Sequence, residues 1–181
     1  MTVPNRAHRA EEEPLEAFLA DSTADEATFS LSTGDTPLLR AMLNPDLAAR
    51  YGIAERLLDD GADASVALGS GLNALHLLFS NREHDLNRAG LLTAHLIEGG
   101  ANVNACSKRR GPPLLVMIES GMASLAGVGT VIEAITTSAS IDLEVPVNRR
   151  GRPRKTLRQE VATTPWHIPE VRARLGIPHQ L

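Results

Sequence analysis

Two short stretches and a few scattered side chains are where this sequence could do chemistry. Glu83-His84-Asp85 sets two carboxylates around an imidazole, the groups that acid–base catalysis or a metal ion would use. Consecutive residues point in different directions, so three in a row rarely converge on one atom. A solvated polar loop is the reading the spacing favours. Gly127-Val128-Gly129-Thr130 has phosphate-loop composition but lacks the spaced Gly-Lys-Ser/Thr, and it follows a helical pattern instead of a strand. No Gly-x-Ser-x-Gly elbow, His-Glu-x-x-His pair or calcium loop occurs. The single cysteine, Cys106, excludes an internal disulfide and a thiol-based zinc site. The motifs therefore give no support to an enzyme, and no cofactor or metal is expected.

The basic stretches carry more information. Arg149-Arg150-Gly151-Arg152-Pro153-Arg154-Lys155 resembles an AT-hook, whose extended Arg-Gly-Arg-Pro core lies in the narrow minor groove of A·T-rich DNA. The physical basis is the enhanced negative potential of that groove. Forty residues upstream stands Lys108-Arg109-Arg110-Gly111-Pro112-Pro113, in the same frame. Arg-Arg-Gly-x-Pro thus reads as a junction repeated between successive units, and a folded junction does not easily supply an extended hook.

The elements that must position these residues are themselves repeated. Glu26, Asp63, Asn102 and Asp142 precede Pro37, Ala74, Pro113 and Pro153 by eleven residues, at intervals of 37, 39 and 40. A period of this size marks a solenoid, whose units bury their apolar faces by stacking on neighbours. Each unit shares a grammar. An apolar helical stretch ends in small residues, as in Leu57-Leu58-Asp59-Asp60-Gly61-Ala62-Asp63 and Leu96-Ile97-Glu98-Gly99-Gly100-Ala101-Asn102, with Gly as the helix stop. A polar stretch follows, with a turn glycine at Gly34, Gly71, Gly111 or Gly151. Thr36-Pro37-Leu38-Leu39, Asn73-Ala74-Leu75-His76 or Pro112-Pro113-Leu114-Leu115 then opens a helix, since Thr and Asn cap well and Pro suits the first turn. An apolar fraction of 43% with only 3% aromatics calls for a Leu/Ile/Val/Ala core, which suits stacked helices.

The segments DTPLLRAM, LNALHLLF, LLDDGADAS and LIEGGANVN resemble the ankyrin repeat, with its Thr-Pro-Leu-His helix start and Leu-Leu…Gly-Ala-Asp/Asn helix end. The resemblance spans residues 24–157 and implies an all-α solenoid. Its helix-loop-helix repeats would start near 26, 63 and 102 and be joined by β-hairpin loops, with a helical cap over 11–25 and a degenerate cap from 142. Residues 1–10 are expected to be disordered. Phe18 is expected to turn inward from a helix over 15–20; short helices are expected at 156–161 and 169–175, with Trp166 and Ile168 packing back onto the third repeat. The units exceed the usual 33 or so residues; the extra length falls between paired helices at 44–51, 81–87 and 121–129. The resemblance also implies that His76 bonds neighbouring backbone and ties one hairpin to the next, and that partners bind on the hairpin tips and the exposed side of each first helix. Candidate contacts are then Lys108, Arg109, Arg110, Arg149, Arg150 and Arg152 on two adjacent basic tips and Leu68 on an apolar one. Arg40, Asn44, Leu77, Asn81 and Glu119 follow on the first helices.

Charge is graded along the chain: net −8 over residues 1–65, −1 over 66–102 and +5 over 103–181. The expectation is a non-catalytic protein–protein interaction module, of the kind that includes inhibitors and immunity partners, facing an acidic patch on another protein. Nucleic acid is the alternative, against which the acidic N-terminal half and a pI near 5.9 both count. No apolar run reaches the roughly 18 residues of a membrane span, and the acidic start does not resemble a signal peptide, so a cytoplasmic location is expected.

Overall fold

Helix caps account for most of the architecture. The computed structural model describes residues 6–31, 34–138, 141–147, 155–165 and 168–178. Thr36 accepts a hydrogen bond from the Leu39 N–H and opens α4 at Pro37; Asn73 does the same for His76 and opens α6 at Ala74. Pro112 and Pro113 open α8. The second helices of the α4 and α6 pairs start on aspartates: Asp46 accepts from Ala49 N–H at 2.7 Å, and Asp85 from Arg88 N–H at 3.1 Å. Such caps satisfy donors that the helix leaves orphaned. At the other end, Gly61 and Gly100 take left-handed angles (φ 92° and 101°), and the next amides, of Ala62 and Ala101, reach back to the Leu57 and Leu96 carbonyls. Glycine tolerates this conformation without the Cβ penalty.

The described chain is mostly helical. In order it runs α1 (Arg6–Glu12), α2 (Leu15–Asp21), α3 (Ala24–Ala27), α4 (Pro37–Ala41), α5 (Leu47–Asp59), α6 (Ala74–Ser80), α7 (Leu86–Glu98), α8 (Pro113–Glu119), a 3₁₀ turn (Met122–Ser124), α9 (Gly129–Ser138), β1 (Pro146–Val147), β2 (Lys155–Thr156), α10 (Leu157–Thr163) and α11 (Pro169–Leu175). Two rows emerge. The short helices α1, α4, α6 and α8 pack each on the next, and so do α2, α5, α7, α9 and α11. Between the rows lies a continuous core of Leu38, Leu39, Leu57, Leu75, Leu78, Leu92, Leu96, Leu114, Val131 and Ile132, with Phe18, Tyr51 and Phe79 as its fully buried aromatics. Phe18 and Ile168 turn inward as expected; Trp166 lies outside the described residues.

Two expectations need correction. Helix α1 occupies residues 6–12 where disorder was expected to reach residue 10, and Ala10 is fully buried. Its sequence, RAHRAEE, offers so narrow an apolar face that periodicity does not reveal it. The second correction concerns the fourth unit. Its helix opens at Leu157, not at Pro153, with Thr156 and Gln159 forming a reciprocal capping box. Asp142 therefore precedes its helix by fifteen residues, against eleven for Asp63 and Asn102. Ahead of this helix β1 and β2 pair antiparallel, Pro146 with Thr156 and Val147 with Lys155. The eleven-residue spacing of Asp142 and Pro153 is a coincidence.

Candidate interaction surface at the hairpin loops

The loops preceding α4, α6 and α8 are built alike from local hydrogen bonds. In the first, Leu31 N–H donates to Asp35 O; in the second, Leu68 N–H to Leu72 O at 2.8 Å; in the third, Ser107 N–H to Gly111 O at 3.0 Å. Each loop after the first begins with the same turn, in which Asp63, Asn102 or Asp142 accepts from the amide two residues on, at 2.8 Å in every case. The Ser65 hydroxyl also donates to Asp63 and holds that carboxyl below its ordinary range.

Neighbouring loops are braced against one another. Lys108 N–H donates to the Ser70 carbonyl at 3.1 Å, and the Lys108 ammonium to the Gly69 carbonyl at 3.0 Å. Asn73 Nδ2 donates to Asn102 O at 2.8 Å, and Asp142 N–H to Asn104 Oδ1 at 2.8 Å. Gly71 sits at φ 84° with its Cα hydrogen against the third loop; a Cβ there would stand 3.2 Å from Cys106 O and Ser107 Cα. The turn glycine of the third loop comes one place later, at Gly111, and Arg110 N–H donates to Ser107 Oγ instead.

His76 is the buried tie between the loops. Its Nε2 lies 2.9 Å from Gly111 O, and its Nδ1 accepts from the Asn73 N–H at 3.2 Å. The Gly111 carbonyl can only accept, which puts a proton on Nε2, while Nδ1 also lies 2.7 Å from Asn73 Oδ1. Burial, reinforced by nearby Arg110, holds the imidazole below its ordinary pKa, although the Gly111 bond opposes this.

On this edge Lys108 and Arg109 are exposed and Arg110 is half-buried, with Ala67, Gly69, Ser70, Asn102 and Cys106 exposed beside them. Burial raises the Cys106 thiol pKa. Arg149, Arg150 and Arg152 lie outside the described residues. Leu68, expected as an apolar tip, is half-buried and packed against the core.

The first-helix candidates fare differently. Leu77 and Asn44 are buried, at 8% and 2% exposure, and cannot be contacts. The Asn44 amide donates to the carbonyls of Ala10 and Glu13, which anchors α1. Asn81 acts in the same way in the next helix pair, donating to Met42 O at 2.9 Å. Arg40 is bound to Asp35 and Glu11, and its guanidinium pKa is raised by them. Glu119, at the end of α8, is half-buried, as are Arg40 and Asn81.

The Glu83-His84-Asp85 cluster disperses as its spacing suggests. Glu83 is exposed and offers its backbone carbonyl to the buried Arg50 at 2.8 Å; Asp85 caps α7. His84 bridges Asn81 O and the Tyr51 hydroxyl, at 3.0 and 3.4 Å, with its pKa lowered chiefly by burial. His95 is half-buried on α7 and lies 4.0 Å from Asp59. Among the described residues no group of three metal-ligating side chains converges, and no helix is long and apolar enough to cross a membrane.

Comparison with models of protein families, with curated proteins and with solved structures finds no match to this chain. One surface feature escaped the sequence reading: Leu91, on α7, is 72% exposed. A helical projection would have found it, because the buried positions of α7 are Ala89, Gly90, Leu92, Thr93 and Leu96, and Leu91 falls off that face.

Proposed function

We propose that this chain is an ankyrin-type repeat stack serving as a non-catalytic protein–protein interaction module. The hairpin-loop edge is its contact surface, and the partner presents an acidic patch to Lys108 and Arg109. The observation that carries this reading is the cross-bracing of the second and third loops. A platform fixed by Lys108–Ser70, Asn73–Asn102 and His76–Gly111 bonds loses little conformational entropy on binding, which favours affinity. Charges on such an edge speed association and select partners more than they add affinity. An inhibitor or immunity-type role suits a small module of this kind.

The corrected register favours one second reading. Arg149 to Arg154 fall among the seven residues between Val147 and Lys155, and the next helix opens only at Leu157, whereas Gly111 of the third unit stands two residues from its helix start at Pro113. The objection that a folded junction cannot supply an AT-hook therefore weakens, and the nucleic-acid alternative stays in play.

A pull-down from native cell lysate with and without nuclease separates the two. The expected result is a protein retained after nuclease and released by the exposed-site pair Lys108→Glu/Arg109→Glu. Recovery of nucleic acid that vanishes with nuclease, or a partner indifferent to the pair, would overturn the interaction reading.

A further inference from the structure

Helices α7 and α9 form a groove that the loop-edge reading leaves unused. The two helices touch at Gly90, where a Cβ would stand 3.1 Å from Thr130, and Thr130 Oγ1 donates to Leu86 O at 2.9 Å. Past that contact, Ala94 and Ala134 are too small to fill the space between the helices. A cavity of about 420 Å³ opens there, walled by Asn87 and Leu91 on one side and Thr130, Glu133 and Thr137 on the other. Leu91 is the most exposed large apolar side chain among the described residues. A leucine standing in water beside an apolar groove marks a surface made to be covered.

The surrounding charge specifies the cover. Glu133 is the one charged residue of α9. Glu98 follows Ala94 by one turn on the same face of α7 and is exposed. Of the arginines on this helix row, Arg56, Arg88 and Arg174 already face Asp60, Glu55 and Glu133, while Arg50 and Arg172 donate to backbone carbonyls. Glu98 and Glu170 are exposed with no cationic partner among the described residues. Glu133 stays 57% exposed beside Arg174 at 3.6 Å, open to a second cation, so the wall carries an excess of negative charge. A second copy of this chain is a poor occupant, because twofold pairing about Leu91 would set Glu98 and Glu133 of both copies in one interface.

We infer that this groove receives an amphipathic helix from a partner protein. One leucine-type side chain of that helix seats between Leu91 and Ala134, and flanking lysines or arginines meet Glu98 and Glu133. Helix-in-groove recognition of this type reads apolar anchors at one-turn spacing. The inference does not depend on the basic loops, which select a partner of opposite charge.

The test uses the full chain, a fluorescein-labelled synthetic helix with a leucine stripe and lysine flanks, and a counterpart with glutamates in place of the lysines, read by fluorescence anisotropy. The lysine helix is expected to bind, and Leu91→Gln and Glu133→Lys, both at exposed positions, each to weaken it about tenfold. Lys108→Glu/Arg109→Glu should leave binding within about twofold. The inference fails if the lysine helix does not bind, if the glutamate helix binds as tightly, or if both single variants bind like wild type. It also fails if light scattering finds a wild-type dimer that Leu91→Gln dissolves, since the occupant is then a second copy.

Discussion

The N-terminal helix pair and the central pairs share one arrangement but are held by different forces. Helices α6 to α9 bury a dense apolar set, including Leu75, Leu78, Leu92, Leu114 and Ile132, with His76 as a buried polar tie. Helices α1 and α2 contribute little apolar surface, chiefly Ala10 and Phe18. They are fastened by polar bonds. The Arg9 guanidinium binds Glu13 and Glu26, each at 2.8 Å, and Asp21, and lies 5.6 Å from the centre of the Phe18 ring. Arg40 and Asn44 add bonds to Glu11 and to the Ala10 and Glu13 carbonyls. One oxygen of the buried Glu26 is bound by Arg9 and the other has no partner, so this end relies on the arginine to offset a buried charge. A terminal unit with one face in water has too little apolar area to hold itself, and directional charge-assisted bonds take over.

The contrast can be broken most forcefully in the centre. Leu75→Asp places a carboxylate where no water reaches and should cost more than about 4 kcal/mol. Loss of the cooperative denaturant transition is expected, and a folded Leu75→Asp protein would refute the core assignment. Arg9→Met should cost about 3 kcal/mol by stranding Glu26. Hydrogen exchange should then quicken in α1 and α2 while α6 to α9 keep their protection. Adding Glu26→Met should recover most of the loss, because the unpaired charge goes with it. Uniform loss of protection in Arg9→Met would mean the two regions form one cooperative unit.

A smaller effect, about 2 kcal/mol, is expected for His76→Ala, which leaves Gly111 O and Asn73 N–H without their buried partner. Equilibrium urea unfolding measures it. The smallest effect is a pH slope. His76 and His84 both titrate below their ordinary value in the folded protein, so the unfolded chain binds protons first as pH falls. Stability contributed by keeping them neutral is complete above about pH 6.5 and declines below it, through the folded pKa values. His76→Ala should flatten part of that slope; an unchanged slope would show that His76 is not the proton acceptor.

The sequence made some regions of this structure legible and hid others for physical reasons. Helix starts at Pro37, Ala74 and Pro113 could be read because capping is local chemistry: Thr36 and Asn73 act on amides three residues away. The same holds for the stops at Gly61 and Gly100. The fourth unit misled because spacing alone placed its start at Pro153, whereas Thr156 and Gln159 carry the capping box. Asn44 and Arg40 looked like surface contacts because their partners, the Ala10 and Glu13 carbonyls and Glu11, lie on or just after a helix whose charged sequence shows no periodicity. Burial of Leu77 depends on packing against neighbouring helix pairs distant in sequence, which no local pattern records. The charged pair Lys108 and Arg109 stayed exposed because they stand at the turn of a loop.

Cys106 offers the most direct measurement of the loop edge. It is the one cysteine in the chain and is exposed beside Lys108 and Arg109. Its raised pKa means that a thiol-reactive photocrosslinker should be attached at alkaline pH. Irradiation in native lysate, with mass spectrometry of the adducts, then reports what touches that edge. The account predicts a discrete polypeptide adduct that disappears with Lys108→Glu/Arg109→Glu. An adduct to nucleic acid, or polypeptide adducts unchanged by those substitutions, would contradict it.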